Sequence, residues 1–217
     1  MNYRQSFITA IILLLFALVG TAMVAFTYDS TRERIAANER ATLQRKLNRL
    51  IAPQRYDNTL LEDTLQVTDA AVLGIDRPVT VYRARQGGVP AGLVMATTAP
   101  DGYSGSIRLL VGINVDGTLS GVRVVAHRET PGLGDAIDEE RSDWIRMFDG
   151  KSLDNPPLAR WAVRKDGGDF DQLTGATVTP RAVVKAVRQA LLYYRAHQQA
   201  LFAVAGQDAS GTQQAAQ

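Results

Sequence analysis

The chain contains no cysteine and only two histidines, His127 and His197. Without thiols there is no disulfide framework, no thiolate-held zinc and no thiolate-ligated iron–sulfur cluster. Two imidazoles are too few for a His-rich metal centre. No G-x-G-x-x-G follows a strand pattern, so nothing signals a dinucleotide site, and no G-x-S-x-G marks a nucleophile elbow. Charge of one sign is also scarce: a net +2 over 217 residues, with no basic stripe interleaved with aromatics, does not read as a nucleic-acid binder. Any redox chemistry must therefore come from a cofactor that needs no thiolate. The length leaves room for one soluble domain plus an anchor, the composition is that of an ordinary globular chain, and no internal repeat is visible.

Residues 7–27 form an uncharged apolar run, long enough to cross a bilayer as a helix. A cleaved signal peptide is the competing reading, with only a weak small-x-small site around Gly20 and Ala22. Arg4 lies on one side of the run, and Asp29, Arg32, Glu33 and Arg34 nearly cancel on the other, so the charge bias for orientation is thin. Residues 30–51 are charged, free of Gly and Pro, and predict a helix leaving the membrane, with Pro53 ending it. Ile35, Leu43, Leu47 and Leu50 could form a coiled-coil seam, though over too few heptads to predict an oligomer.

Residues 60–76 are ambiguous. Strands are predicted over 79–85, 91–99, 107–115 and 119–126, joined by Gly87-Gly88, Pro100-Asp101-Gly102 and Asp116-Gly117, which gives a meander of about four strands. Leu109-Leu110-Val111 is apolar on both parities, as for a strand covered on both faces. Residues 127–135 are an irregular loop, 136–148 a helix with Ile137, Trp144, Ile145 and Phe148 on one side, and 158–163 a short strand. A last helix runs from Pro180 to about Val204, with Thr179 as its N-cap and a buried stripe of Val183, Val184, Val187, Leu191, Leu192 and Tyr194. The polar end after Gly206 reads as a frayed tail.

Two stretches can carry chemistry. Gly175, Ala176 and Thr177 precede a helix N-terminus, where free N–H groups favour a phosphate, and Thr174 and Thr177 add hydroxyls. The same residues are equally those of a capped helix with a tight turn. In residues 129–135, the glycines and Pro131 either only allow a sharp path or let backbone N–H groups and Leu133 lie against a flat ring. A hydrolase would have to assemble Ser104 or Thr177 with His127 and Glu129 or Asp135. An inert membrane-anchored binding module is the remaining rival.

The segment Asp171-Gln172-Leu173-Thr174-Gly175-Ala176-Thr177 resembles the flavinylation motif of proteins that carry FMN on a threonine through a phosphoester. Asp101-Gly102-Tyr103-Ser104-Gly105, Leu110-Val111-Gly112-Ile113 and Glu129-Thr130-Pro131-Gly132-Leu133-Gly134-Asp135 precede it, in the order and rough spacing of an FMN-binding family. That family includes the G subunit of the Rnf (Rsx) electron-transport complex and the C subunit of the sodium-translocating NADH:quinone reductase, and the short body looks more like the former. The resemblance implies an α+β fold: an N-terminal transmembrane helix, then one FMN-binding domain with an antiparallel sheet and flanking helices. It divides the chain into 1–29 (stub and membrane helix), 30–53 (connecting helix), 54–205 (FMN-binding domain) and 206–217 (tail).

It further implies covalent FMN on Thr177, with Thr174, Gly175, Ala176, Thr179, Glu129, Thr130, Pro131, Gly132, Leu133 and Gly134 around the cofactor and Asp171 supporting the motif. No residue is expected to be catalytic on its own account and no metal is expected. The implied role is a redox subunit of an ion-translocating oxidoreductase, single-pass in a bacterial inner membrane with the flavin domain on the periplasmic side. Its implied partners are the other subunits of the complex, a flavin transferase, and lipid around the N-terminal helix. Electrons would pass between ferredoxin and NAD(H), with no complete active site on this chain.

Overall fold

A computed structural model of the chain describes residues 3–203. The sequence readings of a tail after Gly206 and of helix at Val204 lie outside those residues. The described residues fall into two units divided between Arg45 and Lys46.

The first unit is helical throughout and belongs to α1 (Tyr3–Leu50), which runs unbroken from the apolar stretch into the charged one. Its apolar side chains are not buried by protein: Phe7, Leu13, Phe16 and Phe26 are all exposed. Among the described residues this is the one helix long and apolar enough to cross a membrane. Thr9 and Thr27 donate their hydroxyls to the carbonyls of Gln5 and Met23, four residues back, at 3.0 and 2.8 Å. Such bonds satisfy a hydroxyl where no water is available.

The second unit is built on an antiparallel meander in the order β1 (Thr64–Val67), β2 (Val79–Gln86), β3 (Val89–Ala99), β4 (Ile107–Asn114) and β5 (Leu119–Ala126). The four predicted strands are present. The fifth, β1, and the short helix α2 (Ala70–Leu73) come from the ambiguous 60–76 stretch; β1 is only four residues long, too short to show an alternation. Gly87 and Gly88, both at positive φ, form the tight β2–β3 turn, as a two-residue hairpin requires.

Both faces of the sheet are covered. On one, Leu93, Met95, Leu109, Val111, Val122 and Val124 meet α3 (Val178–Phe202) through Val183, Val184, Val187 and Leu191. On the other, Val94 and Leu110 are buried in the opposite parity, together with Leu47, Leu50, Ile51 and Leu60. The doubly apolar Leu109-Leu110-Val111 run is thus explained. Here the last turn of α1, residues 46–50 of the second unit, and Ile51 just after it lie over Gly92, Gly112 and Gly121. A Cβ on Gly92 would sit 3.5 Å from Ile51 Cδ1, one on Gly112 3.1 Å from Leu50 Cβ, and one on Gly121 3.2 Å from Leu50 Cδ2. Gly112 and Gly121 are cross-strand partners, so missing side chains make the groove that receives the helix end. Lys46 Nζ adds a bond to the Val124 carbonyl at 2.7 Å.

Two expected elements take another form. Residues 136–148 are not one helix but two short 3₁₀ segments, Gly134–Ile137 and Asp143–Phe148. Ser142 separates them: its hydroxyl donates to the Ala136 carbonyl and accepts from Trp144 N–H, capping a new start. The apolar set Ile137, Trp144, Ile145 and Phe148 is still buried. Residues 158–163 are not a strand. Leu158–Arg160 is a 3₁₀ turn, and Trp161 is buried against Phe148 and Phe170, with its Nε1–H on the Ser152 and Pro156 carbonyls.

Candidate functional site

The site begins where β5 ends. Past Ala126 the chain turns so that Glu129 is only 4% exposed. A carboxylate so buried needs donors, and three reach it from distant parts of the chain. Tyr103 N–H lies 3.3 Å from Oε2 and Ser104 N–H 3.0 Å from Oε1. The Thr179 hydroxyl makes a short bond to Oε2. The Glu129 amide itself donates to His127 Nδ1 at 3.1 Å. The next carbonyl, of Thr130, accepts from Leu133 and Gly134 N–H, both at 3.1 Å, winding residues 130–134 into a tight loop. Two glycines are fixed by this packing. A Cβ on Gly134 would lie 2.9 Å from Thr179 Oγ1, and one on Gly102 2.9 Å from Glu129 Oε1.

The second wall is the turn before α3. Ala176 N–H donates to the Leu173 carbonyl at 3.1 Å, and Gly175 takes φ +79° at the third position, where a turn of this kind demands glycine. A Cβ there would stand 3.3 Å from Leu133 Cδ2, so this turn and the 130–134 loop face each other. Trp144 Nε1–H holds the start of the turn through the Asp171 carbonyl at 2.7 Å. The Asp171 carboxylate points away and pairs with Arg164 at 2.9 Å. Both side chains are more than half exposed, so the pair adds little stability.

Helix α3 starts earlier than the sequence suggests. Its first residue is Val178 and Thr177 occupies the N-cap position without a side-chain cap bond. Thr179 cannot cap, because its fully buried hydroxyl is already committed to Glu129. The N–H groups of Val178 and Thr179 consequently have no carbonyl within the helix to donate to. Nearby, Arg181 binds Asp166 through two bonds of 2.6 and 2.8 Å. That guanidinium holds the Asp166 carboxyl below its ordinary range.

These walls enclose a cavity of about 290 Å³. It is lined by Glu129, Thr130, Leu133 and Gly134 on one side, Gly175, Ala176, Thr177, Val178 and Thr179 on the other, and Tyr103 at the rim. Of the residues singled out from the sequence, Thr174, Pro131 and Gly132 do not line it and sit exposed on the outer side of their turns. Thr177 is half-buried in the wall with its hydroxyl unused by any cap. Tyr103, Leu133 and Val178 remain 72, 44 and 42% exposed, giving the mouth an apolar character. Tyr103 and Val178 were not singled out as site residues. An aromatic between two glycines could have flagged Tyr103; Val178 becomes visible only once the helix is known to start there. A larger groove of about 560 Å³ lies at the other end of β4, around Arg55, Gln86 and Asn114. Its lining has no hydroxyl and no helix start, so the smaller cavity is the candidate on chemical grounds.

The hydrolase arrangement is not formed. His127 Nδ1 is taken by the Glu129 amide, and the Glu129 carboxylate faces Thr179 rather than the ring. Among the described residues no hydrogen bond joins His127 to Ser104 or Thr177.

Comparison with known proteins fits this arrangement. Residues 102–192 match an FMN-binding domain and residues 1–50 match an RnfG N-terminal region. The chain is 50% identical over 200 residues to the G subunit of the ion-translocating oxidoreductase complex of Pseudomonas aeruginosa, covering 92% of this chain and 94% of that one. It is 47% identical over 197 residues to the protein of the same name from Pseudoalteromonas atlantica, covering 91 and 92%. For Shewanella loihica the figures are 50% over 187 residues, 86 and 88%. The FMN-binding-domain match spans the 102–105, 129–134 and 173–179 segments that build the cavity, and the chain belongs to the family of ion-translocating oxidoreductase complex G subunits, with an FMN-binding domain as its body.

Proposed function

We propose that this protein is an electron-carrying flavoprotein subunit of an ion-translocating membrane complex, with FMN joined through its phosphate to Thr177 Oγ1. The observation that carries the reading is the position of Thr177: a half-buried, uncapped hydroxyl in the cavity wall, directly before the first turn of α3. A phosphoester on that oxygen would place its remaining phosphate oxygens beside the free N–H groups of Val178 and Thr179 and at the positive end of a 25-residue helix. The residues present fit the group. Gly175 leaves the phosphate side of the cavity without a side chain, and Leu133, Val178 and Tyr103 give a flat ring apolar surface to rest on. FMN bound there supplies the electron transfer; the protein holds and tunes it. Thr177 would anchor it, the helix start would offset the phosphate charge, and Glu129 ties the surrounding segments together at a fixed spacing.

The relatives are named as subunits of an ion-translocating oxidoreductase complex. By that kinship the redox partners are other subunits of such a complex, exchanging electrons between ferredoxin and NAD(H). A flavin transferase attaches the FMN, and α1 anchors the chain through about residue 29 as a single pass of the bacterial inner membrane, with the flavin domain, residues 54–205, on the periplasmic side. The test is intact mass and in-gel flavin fluorescence of wild-type and Thr177→Ala protein, each produced with a flavin transferase. A mass gain matching FMN, fluorescent after denaturation and missing from the variant, supports the reading. A wild-type chain without adduct under those conditions refutes it and leaves an inert anchored module.

A further inference from the structure

Beside the flavin cavity lies a second depression of about 320 Å³, lined by Gly105, Ser106, Arg108, Ala126, His127 and Arg128. Arg108 and Ala126 are cross-strand partners on β4 and β5, so the two strand ends bring Arg108 alongside the 126–128 segment. Every side-chain polar group it presents can donate. Arg108 and Arg128 are both exposed, and among the described residues neither guanidinium makes an ion pair or hydrogen bond. Other surface arginines of the body do find carboxylates: Arg160 holds Asp169, Arg164 holds Asp171 and Arg181 holds Asp166. His127 accepts the Glu129 amide on Nδ1, so its neutral ring carries the proton on Nε2 and offers a donor there. The acidic groups that flank these segments in the chain are already engaged: Glu129 by Thr179 and the Tyr103 and Ser104 amides, and Asp101 by Lys185 at 2.6 Å. A groove of donors with two uncompensated guanidiniums selects a ligand of acceptors, and arginine suits carboxylates held in planar pairs.

The groove adjoins the cavity along the chain. Gly105 follows Ser104, whose amide holds Glu129, and Arg128 precedes Glu129 itself. Whatever docks on Arg108 and Arg128 therefore comes to rest beside the mouth formed by Tyr103 and Leu133. We propose that this groove is the docking site for an acidic surface of the protein that exchanges electrons with the flavin. The assignment rests on the flavin reading of the neighbouring cavity. It adds to that reading the partner's charge and the two residues that receive it. An electron carrier needs its partner close and correctly turned, and complementary charge at the edge of the contact supplies the steering.

The test uses the detergent-solubilised complex carrying wild-type, Arg108→Gln/Arg128→Gln or Arg108→Lys/Arg128→Lys protein. It reads three quantities: covalent flavin fluorescence on this chain, its retention in the complex through a KCl series, and the rate at which its flavin is reduced. With the glutamine pair, flavin content is expected to stay at the wild-type level, release to move to lower salt, and flavin reduction to slow by about tenfold, with a flatter salt dependence. The lysine pair should restore much of the retention. Unchanged retention and rate overturn the assignment. Loss of covalent flavin in the glutamine pair also overturns it, since the arginines would then serve the cofactor. An effect seen only in phosphatidylglycerol vesicles and not in detergent gives the groove to lipid headgroups instead. A wild-type chain without flavin would refute the flavin reading, and the retention series would still report on docking.

Discussion

The Thr179 hydroxyl donates to the Glu129 carboxylate across fifty positions of sequence, and that bond joins the loop after β5 to the first turn of α3. Because Glu129 also accepts from the amides of Tyr103 and Ser104, one carboxylate fixes three of the segments around the cavity.

Thr179→Val removes one donor from a buried carboxylate without changing shape. The expected cost is about 1–3 kcal/mol in urea unfolding of the detergent-solubilised chain, with Thr179→Ser close to wild type. A double-mutant cycle with Glu129→Gln should show coupling. Costs that simply add within about 0.5 kcal/mol would mean the bond carries no energy of its own.

Gly175→Ala puts a Cβ on a backbone at φ +79° and 3.3 Å from Leu133 Cδ2. Strain of about 1–2 kcal/mol follows from the left-handed conformation, and on the proposed tether to Thr177 the covalent flavin content should fall with it. Gly132, also at positive φ but facing open space, provides the control: its alanine variant carries the strain and keeps the flavin.

The Asp166 carboxyl is expected to titrate below the ordinary aspartate range because Arg181 hydrogen-bonds its charged form. A folded-state value below the unfolded one stabilises the protein above the ordinary range, and that contribution disappears as the pH falls through the folded value. Carboxyl NMR of Arg181→Gln should return Asp166 to the ordinary range. An unmoved midpoint would show that the pair is not formed in solution.

Gly112→Val places a branched side chain where the last turn of α1 packs, against Leu50 and Ser120. Overpacking of this kind costs about 1–3 kcal/mol. Protease cleavage around residues 46–52 should rise in the variant, and a cleavage pattern identical to wild type would contradict the packing described.

Much of the fold was legible because the strands of this meander are neighbours in sequence and their turns are marked by glycine and aspartate. Gly87-Gly88 and Asp116-Gly117 placed two hairpins almost to the residue. β1 was not legible, since four residues carry no period. The 136–148 segment misled for the opposite reason: its apolar spacing fits a helix, and only the position of Ser142 against Ala136 and Trp144 shows why none continues. At the site, Gly175 and Thr177 stood out beside a helix start, whereas Glu129 entered only as a candidate hydrolase acid or through the family resemblance. Thr179 was read as a cap because its partner is fifty residues away, and local rules do not see a distant carboxylate.

The same topology has a consequence for the order in which the protein is made. Each strand after β1 pairs with the one just before it, so most sheet contacts close short loops and form early. The cavity needs Tyr103, Glu129 and Thr179 together, and the last of these emerges from the ribosome only after the whole meander. A chain arrested before α3 would leave one apolar face of its meander bare and would lack its pocket. A cofactor tethered to Thr177 would then mark the chains that finished folding, and the tether would double as a certificate of completion.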